Sequence, residues 1–388
     1  MDEARYKDKM PAVSVIIPIY NTSRYLRSAL DSVLGQSFHD IEIVCVEDGS
    51  EDNSREILLE YAAKDERIVT ILVDSNRGLC QSRKTGILHS TGEYVMFLDS
   101  DDEYLPRTCA RAYEEMISIG SDILQLGIKT ITERNVPESA RNGVEAYINS
   151  EDQVIKDSDL LKACFMEHRF GPQVVNKVYR GEIIRRAAKE IDPGHISYAE
   201  DWYLFCITAY YSRSFASISE PLYVYRLGSG MSTGSFNTLS RFEKILEEKQ
   251  VSDAIGRFLG KEENAGRYDE VAAWITAHFI EESVNVWIRD VQETDFGIEA
   301  FKKLLDTYGE DALLSYADRA SDELKREVAV LENENAKLNE ELKRLRETTE
   351  TLRNEIEGIK SSKAYKVGLL LASPVRSIRD AKKRRGYE

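Results

Sequence analysis

Short apolar runs alternate with amphipathic segments through roughly the first quarter of the chain. Four runs rich in Val, Ile and Leu are short enough to be strands, and they cover residues 12–19, 41–46, 68–73 and 94–98. Between them, apolar residues recur at helical spacing over residues 23–34, 53–64 and 79–90. This alternation predicts an α/β fold with a mostly parallel sheet flanked by helices.

The pattern is less regular in the rest of the chain. Strands are predicted at residues 122–132 and 221–226, helices at 159–169 and 198–211, and a polar loop at 134–149. Residues 239–316 carry almost no strand signal, which predicts a helical subdomain. The resulting division is a catalytic domain at 1–235, a helical subdomain at 236–320, a coiled coil at 321–359 and a tail at 360–388.

A heptad repeat supports the coiled coil. Large aliphatic residues recur every seventh position, at Leu324, Leu331, Leu338, Leu345, Leu352 and Ile359. The positions four residues further on are also apolar, except for Asn335 and Thr349. This pattern predicts a homo-oligomer, and Asn335 at a core position favours a dimer over a trimer.

Charge is distributed unevenly along the chain. The net charge of −16 argues against a general nucleic-acid binder. Residues 360–388 nevertheless hold nine Lys/Arg and two Asp/Glu, a balance of +7, which leaves −23 on the remainder. Together with the apolar residues 369–371, this tail suits an anionic membrane surface, although it could instead pack on its own body.

Location follows from the apolar segments. No apolar run reaches the roughly 20 residues that span a bilayer, and residues 1–10 are charged, without the apolar core of a secretory signal. We therefore expect a cytoplasmic protein that associates peripherally with the inner face of the membrane.

Two acidic clusters directly follow predicted strands. Asp99-Ser100-Asp101-Asp102 follows the fourth strand, and Glu47-Asp48 ends the second. Ligands of parallel sheets bind beyond the carboxyl ends of the strands, and paired Asp oxygens suit Mg²⁺ or Mn²⁺ together with phosphates. The alternatives are an acidic turn or helix cap for residues 99–102 and a capped strand–helix turn for residues 47–52.

Five ordered motifs resemble glycosyltransferase family 2, whose members have the GT-A fold. They are VIIPIYN at 15–21, LGQS at 34–37, EDGS at 47–50, NRGL at 76–79 followed by Arg83, and GEYVMFLDSDD at 92–102. Glu47 stands where Asp or Asn is commoner. The resemblance implies a GT-A catalytic domain of the bacterial surface-polysaccharide type, which uses a nucleotide-sugar donor.

The resemblance also implies roles for the matched residues. Asp48 would contact a uracil-like base, and Arg83 would help to hold the nucleotide. Asp99 and Asp101 would form a D-x-D pair that serves the ribose, the diphosphate and a Mn²⁺ or Mg²⁺ cofactor, with Asp102 a weaker candidate. The other donor contacts implied are Pro18, Tyr20, Asn21 and Ser100.

The acceptor half has shorter motifs. Residues 176–180 (NKVYR) and the pair Glu200-Asp201 resemble family segments, and the resemblance implies a catalytic base in that pair, Asp201 first and Glu200 second. The alternative is two acids placed at a helix N-terminus by its dipole. Arg226, in YVYR at 223–226, would cover the diphosphate, and Gly228, Gly230 and Gly234 suit either a mobile lid or an ordinary surface loop.

The function expected is an inverting transfer of a sugar, from a UDP-sugar to a glycan or a lipid-linked acceptor. A nucleotidyltransferase is the runner-up, but no glycine-rich, lysine-bearing loop follows Ile17. An oxidoreductase is disfavoured because G-x-G-x-x-G is missing after the first strand. A catalytically idle scaffold that assembles through the coiled coil remains an alternative of a different class.

Overall fold

The structure is a computed structural model that describes residues 10–132, 136–156, 159–228 and 236–361. The chain divides into two compact units, Met1–Leu313 and Leu314–Glu388. The first unit contains the whole sheet and the helices packed around it. The second unit contains most of one long helix.

The sheet has nine strands within the described residues. They are β1 (Val13–Ile19), β2 (Ile41–Asp48), β3 (Ile68–Val73), β4 (Tyr94–Phe97), β5 (Glu103–Tyr104), β6 (Ile123–Thr132), β7 (Gln153–Lys156), β8 (Lys177–Arg180) and β9 (Ser214–Leu227). Their order is β3-β2-β1-β4-β8-β6-β9-β5, with β7 also paired to β9.

Thirteen α-helices are assigned in the same described ranges. They are α1 (Leu26–Leu34), α2 (Ser54–Ala62), α3 (Leu79–His89), α4 (Thr108–Ile119), α5 (Glu138–Ile148), α6 (Leu160–Phe165), α7 (Gly181–Lys189), α8 (Glu200–Tyr211), α9 (Leu239–Ile245), α10 (Glu248–Leu259), α11 (Asp269–Val286), α12 (Gly297–Tyr308) and α13 (Glu310–Ser361). The α/β class predicted from the sequence is therefore confirmed. None of the described helices is both long enough and apolar enough to cross a bilayer.

The sheet is mixed: six of its nine described strands run in one direction, in keeping with the predicted mostly parallel sheet, and β5, β7 and β8 run in the other. Strands β3, β2, β1 and β4 are mutually parallel, as the early strand–helix alternation predicted. Strand β8 then enters antiparallel to both β4 and β6. Only four residues long and containing Lys177, β8 lacks the apolar run by which the other central strands were predicted.

The predicted polar loop at residues 134–149 was also wrong over most of its length. Helix α5 occupies Glu138–Ile148, and only Ile148 of its residues is buried. Since an almost fully exposed helix leaves little apolar periodicity in the sequence, its polar composition resembled that of a loop. The helix contacts β6, where Glu145 accepts hydrogen bonds from the N–H and the hydroxyl of Thr130 at 2.7 and 2.6 Å.

Strand β1 is the centre of the core and aligns the loops that matter for function. All seven of its residues are buried, and it pairs in register with β2 on one side and β4 on the other. Full burial of an aliphatic side chain stabilises a fold by about 1.5–3 kcal/mol. Because the three strands are parallel, the segments that follow Ile19, Asp48 and Phe97 emerge at one edge of the sheet.

Helices α10 and α11 belong to the same compact unit as the sheet. Helix α10 packs on α8, and α11 packs on α6. The buried side of α11 includes Val271, Ile275 and Phe279, at the spacing of one helix face. These helices thus lie close to α8. The predicted boundaries of the helical subdomain, residues 236–320, remain a proposal.

We expect Gly86→Ala to destabilise the fold, because α3 approaches β1 at this glycine. A Cβ at Gly86 would lie well inside van der Waals contact with Cγ2 of Ile16, a fully buried side chain. Overpacking of this kind costs about 1–3 kcal/mol. Urea denaturation followed by circular dichroism should show the loss in the free energy of unfolding.

Gly143→Ala is the matched control, since Gly143 also lies in a helix but has no atom within 4 Å of a built Cβ. This change should leave stability unaltered or raise it by up to about 1 kcal/mol, through the better helix propensity of Ala. Equal effects of the two substitutions would contradict the packing of α3 on β1.

Candidate active site at the carboxyl edge of the parallel strands

The loops after β1 and β2 are joined by hydrogen bonds. Asn21 lies in the left-handed region, with φ of 52°, a conformation that Asn tolerates better than most residues. Its N–H donates to Ser50 Oγ at 3.1 Å, and its side-chain oxygen accepts the N–H of Glu51 at 2.8 Å. Pro18 is buried beside Val46, whereas Tyr20 is 42% exposed at the rim. The structure thus brings Pro18, Tyr20 and Asn21 together at one edge.

Asp48 is a buried organiser of the neighbouring turn. Its carboxylate accepts the backbone N–H of Arg77 at 3.0 Å and that of Gly78 at 3.0 Å. Gly78 has φ of 90°, which suits a residue without a side chain. Since Asp48 is only 2% exposed, its role at the rim is to fix the backbone of the turn at Arg77 and Gly78.

Glu47 is a structural residue. Its carboxylate is fully buried, pairs with Arg55 Nε at 2.6 Å and accepts the N–H of Ser50 at 2.6 Å. The longer side chain of Glu47, compared with Asp or Asn, is therefore explained by the distance that it must span to pair with Arg55.

The acidic segment after β4 divides into an accessible part and a buried part. Asp99 retains 26% exposure of its side chain, while Asp102 is 2% exposed. Asp102 accepts the hydroxyl of Tyr223 at 2.6 Å and the N–H of Arg226 at 2.7 Å. Burial, followed by the charges of Asp101 and Asp99, raises the pKa of Asp102 well above its ordinary value. Asp102 therefore fastens this segment to β9, and Asp99 is the carboxylate that solvent reaches more readily.

Arg226 lies against the same segment. Its Nε donates to the backbone oxygen of Asp101 at 2.9 Å, and Nη2 pairs with Glu103 at 2.6 Å. The guanidinium also lies 5.2 Å from the ring centroid of Tyr25, within cation–π range. Arg226 thus lies beside the acidic segment.

Arg83 connects the two halves of the site. This side chain is 3% exposed, and its Nη2 pairs with Asp99 at 2.9 Å while Nη1 pairs with Glu200. Burial alone would lower the pKa of Arg83, but the charges of Asp99, Glu200 and Asp201 raise it above the ordinary value. The sequence predicted that Arg83 contacts the nucleotide; its burial between two carboxylates leaves little of it available for that contact.

The pair Glu200-Asp201 begins α8, after Ala199 in the left-handed region with φ of 57°. Burial raises the pKa of Glu200, against the lowering effect of Arg83. Burial also raises the pKa of Asp201, whose Oδ1 accepts the N–H of Trp202 at 2.9 Å. Glu200 is 6% exposed, and Asp201 is partly exposed. Of the two carboxylates, Asp201 is thus the one that a ligand can reach.

Lys177, from the NKVYR motif, lies fully buried near this pair. Its ammonium group donates to the backbone oxygen of Gln173 and lies 5.4 Å from the ring centroid of Phe205. Burial lowers the pKa of Lys177 to about 7, opposed by the charge of Asp201. The motif thus places a buried amine with a lowered pKa in the surroundings of Asp201.

The carboxylates fit a cation held jointly with a diphosphate. Within the described residues, no group of three His, Cys, Asp or Glu side chains is placed to bind a metal by itself. Mg²⁺ usually takes only one or two protein carboxylates and completes its shell with phosphates and water. Asp99 and Asp101 can supply such a pair, since Asp102 is committed to Tyr223 and Arg226. Ser100 is 5% exposed between them.

The predicted lid lies mostly outside the described residues. Gly228 is described, with φ of 92°, whereas Gly230 and Gly234 fall in residues 229–235.

Two contacts of the site had no signal in the sequence. The ion pair of Arg83 with Glu200 spans 117 residues, and the hydrogen bond of Tyr223 to Asp102 spans 121. Neither pair has a short sequence spacing that would indicate a contact. Only the positions of Arg83 and Tyr223 within motifs indicated that these two residues belong to the site.

Comparison with known proteins identifies a family for the N-terminal part. Residues 14–169 match the family model described as glycosyl transferase family 2. The chain is 34% identical over 222 residues to the uncharacterized glycosyltransferase EpsJ of Bacillus subtilis (strain 168), covering 56% of this chain and 61% of that protein. It is 29% identical over 277 residues to a poly(ribitol-phosphate) beta-glucosyltransferase of Bacillus spizizenii, covering 69% of this chain and 40% of that longer protein.

One solved structure that resembles the fold is S. aureus TarS 1-349 in complex with UDP-GlcNAc. The TM-score is 0.48 at 19% sequence identity, covering 79% of this chain and 91% of the TarS chain.

We expect Arg83→Leu to be strongly destabilising, because it leaves two carboxyl groups without their cation in a buried place. Removing one partner of a buried ion pair costs about 3–5 kcal/mol. Combining it with Glu200→Gln should recover part of that loss, since one unpaired acid is removed. The free energy of unfolding from urea titration measures both variants.

Arg27→Leu serves as the control, because the ion pair of Arg27 with Glu60 lies at the surface, where exposed pairs contribute little. Its unfolding midpoint should stay nearly unchanged. A loss for Arg83→Leu no larger than that of the control would show that the buried pair is not a structural constraint.

Proposed function

We propose that this chain, whose residues 14–169 match glycosyl transferase family 2, is an inverting glycosyltransferase with a nucleotide diphosphate donor. The donor is a UDP-sugar, and the acceptor is a glycan or a lipid-linked saccharide in cell-surface polysaccharide synthesis. The assignment of donor, stereochemistry and acceptor rests on the site described above.

The observation that carries the proposal is the placement of Asp99 and Glu200 on either side of Arg83. Asp99 belongs to the segment suited to a diphosphate, and Glu200 is followed directly by Asp201, a carboxylate suited to a base. An inverting displacement needs both functions across one anomeric carbon, with the base opposite the leaving group. One buried guanidinium holding both segments supports a shared reaction centre.

In the proposed step, a hydroxyl oxygen of the acceptor attacks the anomeric carbon of the donor. The bond between that carbon and the diphosphate oxygen breaks, and the diphosphate leaves with the bonding electron pair. Asp201 accepts the hydroxyl proton. The raised pKa of Asp201 suits this role, because a base with a pKa closer to neutral accepts a proton more readily.

The donor side of the site is assigned to the edge formed by β1, β2 and β4. Asp99 and Asp101 would hold Mn²⁺ or Mg²⁺ together with the diphosphate, and the cation would supply charge neutralisation for the leaving group. Arg226, which already contacts the Asp101 backbone, is placed to approach the same phosphates. Pro18, Tyr20 and Asn21 would shape the nucleoside pocket, and Asp48 would lie near the uracil ring of the nucleotide.

Arg83 is assigned a positioning role, in place of the direct nucleotide contact predicted from the sequence. Its two ion pairs fix Asp99 and Glu200 relative to each other. A polymeric acceptor is supported by the relative named poly(ribitol-phosphate) beta-glucosyltransferase, whose name describes transfer to a polymer.

We also propose that the chain assembles through α13. The heptad leucines that are described, such as Leu331 and Leu338, are 63% and 64% exposed in the single chain. Burying a Leu stabilises by about 1.5–3 kcal/mol, and a second copy of the helix offers a matching apolar face. A parallel dimer is the first assignment and a trimer the second, with Glu341 and Arg346 available for pairing between chains.

The basic tail from residue 362 onward lies outside the described residues. Its composition supports attachment to an anionic membrane surface, which salt would screen. Salt-sensitive co-sedimentation of the full chain with anionic vesicles supports this attachment, and a chain that never sediments with them contradicts it.

Asp201→Asn should abolish most of the catalysis without weakening the binding of UDP. Loss of the base should lower kcat by about 10²-fold or more, the scale of general base catalysis. Release of UDP from a panel of UDP-sugars with Mn²⁺, and calorimetry with UDP, provide the two measurements. Near-normal turnover in this variant would move the role to Glu200, for which Glu200→Gln is the matched test.

The pH profile gives the same proposal a second readout. A base acts when deprotonated, so kcat/KM should rise with pH through the pKa of Asp201. Because burial raises that pKa, the acid limb should lie above the ordinary Asp value of about 3.9. An acid limb at or below the ordinary value would contradict the assignment of Asp201.

Leu338→Asn combined with Leu345→Asn should convert the assembly into monomers, because both changes fall on the heptad face. Light scattering after size exclusion measures the subunit number. Glu340→Asn with Glu347→Asn is the control pair, placed on the outer face of the same helix, and should leave the assembly intact. A monomeric parent chain would contradict the proposed assembly.

A further inference from the structure

An aromatic cleft lies beside the start of α8 and is not used by the step proposed above. Its volume is about 560 Å³, and its walls come from α5, α6, α8, α11 and the segments at residues 149–153 and 168–172. Ligand pockets commonly measure about 300–1,000 Å³. The cleft is therefore large enough for a small organic ligand.

Three nearly parallel rings form one wall. The centroid of His278 lies 5.0 Å from that of Trp202 and 5.1 Å from that of Trp274, with planes within 17° of parallel. Trp274 and His278 lie four residues apart on α11, which places them on one face of the helix. All three rings are partly exposed. They therefore present aromatic surface to whatever enters the cleft.

The mouth of the cleft carries charges of both signs. Glu151 and Arg169 line it and are exposed. Across the ranges that the structure describes, neither side chain forms a hydrogen bond or an ion pair, so both can bond to a ligand. Aromatic faces combined with a polar rim suit a ring that has C–H groups on its face and hydroxyls around its edge.

The cleft lies within electrostatic range of the proposed base, because the charge of Asp201 contributes to the raised pKa values of Tyr147 and Cys164, two residues of its lining. Trp202 follows Asp201 in the chain and donates its backbone N–H to Asp201 Oδ1 at 2.9 Å. Asp201 itself is not among the residues that line the cleft, so a ligand that rests on Trp202 lies in a cleft that neighbours this carboxylate.

We propose that this cleft binds a pyranose ring of the acceptor, stacked on Trp202 and Trp274 and hydrogen-bonded at the rim to Glu151 and Arg169. The inference rests on the proposed function, and it adds the place where one sugar ring of the acceptor binds. The acceptor is accordingly an existing saccharide, and the cleft selects for its ring.

Intrinsic fluorescence tests the proposal, because Trp202 and Trp274 are two of the three tryptophans in the chain. The third, Trp287, packs on Phe301 and donates to the backbone oxygen of Gly297 at 2.9 Å, away from the cleft. The full chain with Trp287→Phe therefore reports on the cleft alone. The probes are glucose, galactose, N-acetylglucosamine and disaccharides of each, titrated without any donor.

The expected result is a saturable fluorescence change with at least one of these sugars. Trp274→Ala should weaken that binding by at least about 10-fold, as loss of an aromatic anchor does. Trp274→Phe keeps an aromatic face and should stay within about 3-fold of the parent, on the same reasoning about anchors. Circular dichroism and the thermal midpoint of each variant separate lost binding from lost folding.

The proposal is overturned if none of the sugars gives a saturable change, or if a folded Trp274→Ala variant binds as well as the parent. Farnesyl phosphate, titrated in parallel, tests a lipid occupant, and binding of that probe in place of the sugars would also overturn it. Since the titration needs neither donor nor turnover, its outcome is independent of the release of UDP from UDP-sugars. Failure of the cleft and failure of the proposed transferase activity are therefore distinguishable.

Discussion

The buried guanidinium of Arg83 holds together segments that lie far apart in the chain. One partner, Asp99, is 16 residues away, and the other, Glu200, is 117 residues away. Asp99 follows the parallel strand β4, and Glu200 begins α8, which comes after the antiparallel strand β8 in the chain. The relative placement of the two segments thus depends on an interaction that is costly to break, because each carboxylate would be left without its cation in a buried place.

The charge balance around Arg83 explains the pKa directions nearby. Asp99, Glu200 and Asp201 are three acids near one guanidinium, and burial makes an excess of negative charge costly. The raised pKa values of Glu200 and Asp201 are the consequence, and the pKa of about 7 for Lys177 reflects the same lack of solvent. A site with these groups holds a proton near neutral pH, which is what acid–base chemistry requires.

Strands β1 to β4 could be predicted because each is a short apolar run and a helix lies between each strand and the next. The positions of Asp99, Asp101 and Asp201 could be proposed because they lie in motifs that keep their order. Helix α5 and strand β8 could not be predicted, because an exposed helix and a four-residue strand leave little hydrophobic periodicity in the sequence. The partners of Arg83 could not either, because an ion pair across the chain depends on the tertiary fold alone. The cleft lined by Trp274 and His278 could not be predicted either, because its walls come from several helices that are far apart in the chain.

The central claim is that the edge formed by β1, β2 and β4 binds a nucleoside diphosphate together with a divalent cation. The most direct measurement is calorimetry of UDP with the full chain, first in Mn²⁺ and then in chelator. The account predicts saturable binding that weakens by at least about 10-fold when the cation is removed, since Mg²⁺-type sites share the cation between carboxylates and phosphates. Equal affinity with and without the cation, or no binding of UDP at all, would contradict it.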